Sequence, residues 1–468
     1  MSIFRKYDIR GIAGKELTED FARSLGVACS RLLLERIPSA RAVSVGRDVR
    51  LSSPALASGL MEGIISTGLD VHDLGVCPTP LQYFSLFTLP VDGGIMVTGS
   101  HNPPEFNGFK VSIGKETIHG EDILMLRDLL PPECSSPSGS PGRIIPHDII
   151  SSYTKHMLEE FSGLRDSRTR LRVVLDAGNG TAGLVMPALL RELGCEVIPL
   201  YDAPDGTFPN HHPDPTVIEN MKDLREEVLR QKAAIGIGYD GDADRIGVVS
   251  EDGSLIWGDQ IMIILSREIL RHHPGASIIG DVKCSQTLFD DVLRHGGRPV
   301  MARTGHSLIK ARMKEEGALL AGEFSGHIFL ADRYFGFDDA LYTSLRLIEI
   351  MVKTGRPVGK LLEGIPRLSF TPEIRVDTPD SLKQSLVSTI VNRLKGLKEK
   401  GSAPFPIREI QDIDGARVVF DRGWALIRAS NTQPVVVIRV EATDDDHLHA
   451  YRELLEAQYR QALSESRQ

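Results

Sequence analysis

The sequence predicts an α/β protein in four parts. Three similar α/β domains with mixed, mostly parallel sheets precede a C-terminal α+β domain with an antiparallel sheet, and all four surround one central cleft. Three observations predict this. A strand–helix–strand pattern occurs three times, at a spacing of about 100 residues that marks domain-sized copies rather than a solenoid. Each copy is followed by another apolar strand that runs into a conspicuous polar loop. The chain after residue 366 switches to hairpin patterning.

The first copy is AVSVGRDVRLSSPALASGLMEGIISTGLDVHDLG, the second LRVVLDAGNGTAGLVMPALLRELGCEVIPLY, and the third ASIIGDVKCSQTLFDDVLRHGGRPVMARTG. Each opens with a short β-branched strand, passes an Asp in a polar turn, and continues as a helix. Gly then closes the helix before a second strand, so the units run Asp48 to Gly68, Asp176 to Gly194 and Asp281 to Gly297. The strands that follow end in GGIMVTGSHNPP, AAIGIGYDGDADRIGVV and GALLAGEFSGHIFL. Open α/β sheets bind ligands at the carboxyl ends of their strands, so three equivalent loops are placed to converge on one cleft.

In the last part EIRVD reads as a strand, and Thr378-Pro379 suits the cap and first position of a helix. IQDIDGARVVF reads as a hairpin turning at Asp414-Gly415, WALIRAS and VVVIRVEA as strands, and the C-terminus as an amphipathic helix. Lys395 to Pro406 reads as a mobile loop. Boundaries fall at the Pro/Ser/Gly-rich PPECSSPSGSPG, near EDGS and near GIPRLSFTPE. The expected domains are therefore 1–146, 147–254, 255–366 and 367–468.

A length of 468 residues suits three or four domains, and a net charge of -9 argues against a protein built to wrap nucleic acid. Five scattered cysteines without CxxC spacing fit a reducing compartment, not a disulfide framework or zinc site. Neither a signal peptide nor a membrane-length apolar run is visible, so a cytoplasmic protein is expected.

The loops carry chemistry. In YDGDADRIG, Asp240, Asp242 and Asp244 alternate with small residues, and three close carboxylates repel one another unless a cation neutralises them. A solvated acidic turn is the plainer alternative. Arg245 and the flanking strands favour the cation. In TGSHNPPEFNGFK, Ser100 sits at a strand end near His101, Asn102 and Lys110, where a serine can carry a covalent group or simply hold a polar turn. Glu323, Ser325 and His327 of GEFSGH can bond sugar hydroxyls or make a turn. In RASNTQP, the Arg428 guanidinium with Ser430, Asn431 and Thr432 suits a phosphate dianion, though a surface turn would use the same residues. The NHHPDP histidines, His211 and His212, and the DAGNGTAG turn are read as structural.

These four loops, in this order, resemble those of the α-D-phosphohexomutases, closest to the bacterial phosphomannomutase/phosphoglucomutase group, and the resemblance spans essentially the whole chain. It implies a phosphoserine at Ser100 and Mg²⁺ held by Asp240, Asp242, Asp244 and Ser100. It implies a catalytic role for Arg245, sugar contacts from Glu323 and Ser325, and a phosphate cradle of Arg428, Ser430, Asn431 and Thr432. Tyr7, Arg10, Lys283 and His327 would also line the cleft. Lys110, His306 and His101 are the unranked general acid/base candidates. The implied reaction interconverts hexose 1-phosphate and hexose 6-phosphate, of mannose or glucose, through a hexose 1,6-bisphosphate that is also an activator. A phosphoglucosamine mutase, a serine-dependent sugar phosphatase and a non-catalytic sensor are the rivals. A monomer or weak homo-oligomer is expected. One departure stands out: Ala243 replaces the family's usual middle Gly in the metal loop. If that position needs φ > 0, Ala strains it by about 1 kcal/mol.

Overall fold

The computed structural model describes residues 3–5, 8–131, 140–167, 169–431 and 433–466. Three sheets share one four-strand plan. In the first, Asp70–Val76, Ala42–Arg47 and Gly93–Val97 lie side by side in parallel, and Phe106–Ile113 returns antiparallel to Gly93–Val97. In the second, Glu196–Leu200, Arg172–Asp176, Ile235–Tyr239 and Ile246–Ser250 repeat this order and these directions. In the third, Arg298–Ala302, Ser277–Asp281, Leu320–Gly322 and Ile328–Leu330 do the same. The sheets are thus mixed and mostly parallel at their centres, as the sequence predicts.

Residue choice explains the strands. Ile235–Tyr239 and Ser277–Asp281 are buried along their whole length, which is why they read as continuous small and β-branched runs rather than alternating ones. The crossover helices begin with Pro54 in Ser53–Ile65 and Pro187 in Met186–Glu192, where a missing N–H costs nothing. Extra strands extend two sheets: Ile9–Ile12 and Ile144–Pro146 join the first, and Leu255–Ile256 joins the second.

The C-terminal sheet is antiparallel throughout, its hairpin turning through Gly415 at φ 85°. Two local expectations change. Pro379, not Thr378, caps the helix Asp380–Glu399, while the Thr378 hydroxyl bonds Tyr459 Oη at 2.8 Å and the Val376 carbonyl. Residues 395–399 are helical rather than looped. Leu386, Val387, Ile390 and Leu394 continue one buried stripe, and the chain leaves the helix only at Lys400 and Gly401, the latter at φ 58°.

The core is divided unevenly. One apolar cluster runs continuously through the second and third domains and takes in Leu81, Tyr83, Phe84 and Leu86 of the first. Its aromatic seam includes Tyr153 and Tyr334, whose hydroxyls donate to the Asp339 carboxylate at 2.9 and 2.8 Å. The C-terminal domain has its own core and meets the third domain through the small cluster of Val282, Trp424 and Leu426. Among the described residues no helix is long and apolar enough to cross a membrane.

Candidate active site

Each four-strand plan ends in a hairpin between its third and fourth strands, and the three hairpin loops are the three polar motifs. They and the C-terminal strand Gly423–Ala429 face a common cavity of about 590 Å³.

The first loop follows the buried strand Gly93–Val97. Ser100 is only 3% exposed and sits in the left-handed region at φ 48°, a conformation a non-glycine residue holds only when its surroundings over-determine it. Those surroundings are explicit. Ser100 N donates to Thr98 Oγ1 at 2.8 Å, and Thr98 Oγ1 donates to Asp48 at 2.8 Å. Arg50, fully buried, donates to the carbonyls of Ser100 at 2.7 Å, Asn102 at 2.6 Å, Pro103 at 2.6 Å and Phe106 at 2.9 Å. Asp48 and Arg50 lie in the polar turn of the first repeat, and sequence reading assigned them no role; the Asp shared by all three repeats was the available signal.

The Ser100 hydroxyl donates to Asp240 Oδ2 at 2.9 Å and lies 3.1 Å from His101 Nδ1. Burial, then Arg245 and Arg10, push the His101 imidazole well below its ordinary pKa, so it is neutral. The second loop comes this close because it has a glycine at the contact: a Cβ on Gly241 would lie 2.7 Å from the Ser100 carbonyl oxygen.

Asp240, Asp242 and Asp244 are fully buried, with carboxylate oxygens within 4.8 Å of one another. Burial and the charges of Asp244 and Asp242 push the Asp240 carboxyl well up. Ala243 does take φ 61°, the left-handed conformation that strains a residue with a Cβ. Lys110, opposite Met96 on the fourth strand, places Nζ 2.7 Å from Asp242 Oδ2 and 2.5 Å from Asp244 Oδ2. Burial opposes its charge, but the two aspartates outweigh burial and hold it well above the ordinary lysine value. Asp242 Oδ1 and Asp244 Oδ1 remain buried without a hydrogen-bond partner. Orphaned carboxylate oxygens beside a dense negative charge fit a hard divalent cation.

In the third loop Glu323 accepts from Gly305 N and from the Ser325 hydroxyl, each at 2.9 Å. His327 Nε2 accepts from Arg245 Nε at 2.8 Å, which leaves the proton on Nδ1, 3.1 Å from Asp338 Oδ2. His306 stacks on His327 with ring centroids 5.7 Å apart, and burial with Lys310 keeps its pKa well below the ordinary value. Asp338 was not found from sequence; it lies in an irregular stretch with no motif.

The C-terminal domain brings Arg428, Ser430 and Asn431 to the cavity, and Arg428 Nε donates to Asp414 Oδ2 at 2.9 Å. Asp414 also accepts from Thr304 N at 3.2 Å, so the expected hairpin residue ties this domain to the third. Lys283 lines the cavity and bonds Glu373 at 2.8 Å; Arg10 lines it and bonds Asn102 at 3.1 Å. Arg375, unforeseen, lines it too. Tyr7 and Thr432 lie outside the described residues. The expected structural reading of His211 matches its surroundings: its Nε2 bonds the Asp176 carboxylate at 3.0 Å.

Comparison with known proteins supplies the family. Phosphoglucomutase/phosphomannomutase models match this chain in order: alpha/beta/alpha domain I at residues 1–121, domain II at 151–253, domain III at 257–368 and the C-terminal domain at 373–458. The chain is 42% identical over 447 residues to a phosphomannomutase/phosphoglucomutase of Pseudomonas aeruginosa, covering 96% of this chain and 93% of that one. It is 40% identical to a phosphoglucomutase of Neisseria gonorrhoeae over 94% and 93% of the two chains. A phosphoglucomutase/phosphomannomutase family protein of Burkholderia thailandensis superposes with a TM-score of 0.87 at 40% identity, over 98% and 97% of the chains. An N-acetylphosphoglucosamine mutase of Aspergillus fumigatus shares the fold at a TM-score of 0.64 and 14% identity. The chain belongs to the phosphoglucomutase/phosphomannomutase family.

Proposed function

We propose that the protein interconverts the 1- and 6-phosphates of glucose and mannose through a phosphoserine at Ser100 and a hexose 1,6-bisphosphate. The observation that carries this reading is the contact of Ser100 with Asp240 across two domains, next to His101 and Arg245, which line a cavity together with Arg428, Ser430 and Asn431. A doubly phosphorylated ligand suits a lining with Arg10, Arg245, Lys283, Arg375 and Arg428.

In this reading the cradle holds one phosphate while Glu323 and Ser325 position the sugar hydroxyls. A sugar oxygen attacks the phosphorus on Ser100, the bond from phosphorus to Ser100 Oγ breaks, and the hydroxyl proton passes by way of protein groups to Oγ. His101 Nδ1 lies 3.1 Å from Oγ, within reach of the proton that moves at the serine end. Asp240, Asp242 and Asp244, with Ser100, are the proposed Mg²⁺ ligands. When bound, the ion supplies positive charge against the transferring phosphoryl oxygens. The intermediate then turns end for end and returns its other phosphate to Ser100. We place the reaction in the cytoplasm.

Phosphorus NMR tests the proposal. With Mg²⁺ and a trace of glucose 1,6-bisphosphate, glucose 1-phosphate and mannose 1-phosphate should yield 6-phosphates, and Ser100→Ala should not. Release of inorganic phosphate would identify a phosphatase instead. Turnover of glucosamine 1-phosphate alone would favour the aminosugar mutase.

A further inference from the structure

The segment 205–213 of the second domain contains the two histidines of NHHPDP and touches the Ser100 loop from behind. Gly206 passes so near the first domain that a Cβ there would lie 2.4 Å from the Val49 carbonyl oxygen and 2.7 Å from Arg50 Cα. Phe208 places its ring against the Arg50 guanidinium, 5.1 Å from the centroid. Its backbone is left-handed at φ 50°, a strained state for an aromatic residue. The segment is also fastened to its own domain. His211 holds Asp176, and Asn210 Nδ2 donates to Asn179 Oδ1 at 2.8 Å. The same turn carries Thr181, whose N–H donates to the Gly241 carbonyl of the acidic loop at 3.0 Å.

We infer that this segment is a brace between domains that sets the approach of Ser100 to Asp240, and that Phe208 is a positioning residue acting through Arg50. The inference rests on the phosphoserine reading above. Arg50 spends four of its donors on carbonyls of the Ser100 loop, so the loop follows the guanidinium. The buried guanidinium has Asp48 on one side and the Phe208 face on another. Sugar and distal-phosphate contacts come from other elements. A loosened brace therefore slows phosphoryl transfer and leaves substrate affinity alone.

The test is steady-state kinetics of the full-length enzyme with Mg²⁺, glucose 1-phosphate and bisphosphate activator. Phe208→Leu, which keeps bulk but loses the ring, should lower kcat about tenfold or more, as expected for a displaced reacting group, with KM unchanged. Phe208→Tyr should restore kcat. An unchanged kcat in Phe208→Leu, or a loss that Phe208→Tyr shares, overturns the inference. If Phe208→Leu does not fold, Asn210→Ala, which removes the tie to Asn179, takes its place, with the same kcat loss expected and an unchanged kcat refuting. Ser100→Ala separates the two claims. Activity there removes the phosphoserine reading and the brace together, whereas an inactive Ser100→Ala beside a fully active Phe208→Leu removes the brace alone.

Discussion

Lys110→Met tests whether Lys110 and a metal ion share the charge of the acidic triad. Lys110 Nζ contacts both Asp242 and Asp244, and all three residues are buried. Without an ion, three carboxylates face Lys110 and Arg245. Removing one partner of a buried ion pair costs about 3–5 kcal/mol, because the other charge stays buried. Methionine keeps most of the stem volume, so packing contributes little. At about 2–4 °C per kcal/mol, the variant should melt roughly 10 °C below the parent in chelator. Excess Mg²⁺ stabilises the native state by mass action and replaces the lost positive charge. It should recover at least half of the deficit. The assay is calorimetry of both proteins in EDTA and in excess Mg²⁺. A deficit of equal size under both conditions refutes the shared-charge reasoning, and so does the absence of a deficit in EDTA.

Three further predictions concern other parts of the site. Burial opposes the Glu373 charge, but Lys283 outweighs it and holds the carboxyl at about 2, against an ordinary 4.5. A depressed folded pKa gives stability that is complete above pH 4.5 and lost as pH falls toward about 2. Acid melts of Glu373→Gln should lack that dependence, and an unaltered acid limb would contradict it. Asp414→Asn, which weakens the hold on Arg428, should raise KM for hexose phosphates about tenfold through loss of about 1.5 kcal/mol in a charge-assisted bond, with kcat little changed; a fall in kcat alone counts against it. Ala243→Gly relieves about 1–2 kcal/mol of left-handed strain. It forfeits about 0.8 kcal/mol of methyl burial and about 0.5–1 kcal/mol of backbone entropy. Its melting temperature should therefore move by no more than about 3 °C, and a gain well beyond that would show that strain dominates.

The three-fold plan was legible because each copy repeats a period-breaking Asp, a helix and a closing Gly, and because buried parallel strands leave uninterrupted apolar runs. The loops were legible because their chemistry is local: Asp240, Asp242 and Asp244 alternate within five residues. Residues that act through long-range contacts were not. Arg50 reaches carbonyls about fifty positions away, and Asp338 meets His327 only after an irregular loop folds back. Neither has a spacing that sequence periodicity can reveal. The boundary of the helix Asp380–Glu399 failed for a smaller reason: the polar Lys395, Lys398 and Glu399 on its exposed side look like loop composition, while Leu394 beneath them is buried.

The division of the core bears on how such a site can work. The acidic loop and the Glu323 loop hang from sheets that share one apolar interior, into which the first domain sends Leu81, Tyr83, Phe84 and Leu86, so their mutual geometry is set by close packing. The strand before Ser100 packs in the first domain's own cluster with Ile95 and Val97, and buried bonds from Ser100 to Asp240 and from Thr79 and Lys110 to Asp242 lock it to the acidic loop. The proposed phosphate cradle of Arg428, Ser430 and Asn431 hangs from a domain with a separate core. Its links to the third domain include one three-residue apolar cluster, the guanidinium of Arg439 over the Phe324 ring, and polar ties such as Asp414 to Thr304, Lys283 to Glu373 and Ser285 to Glu441. Polar ties of this kind exchange with water at little net cost, whereas a shared core does not. A reaction that turns a bisphosphate end for end needs one rigid end and one that yields. The rigid end must keep a phosphoryl donor within bonding distance of its acceptor, and the yielding end must release and regrip either phosphate. The shared core of the acidic and Glu323 loops, with the buried bonds that fasten Ser100 to it, puts rigidity at the Ser100 end and compliance at Arg428, the arrangement that such a turn requires.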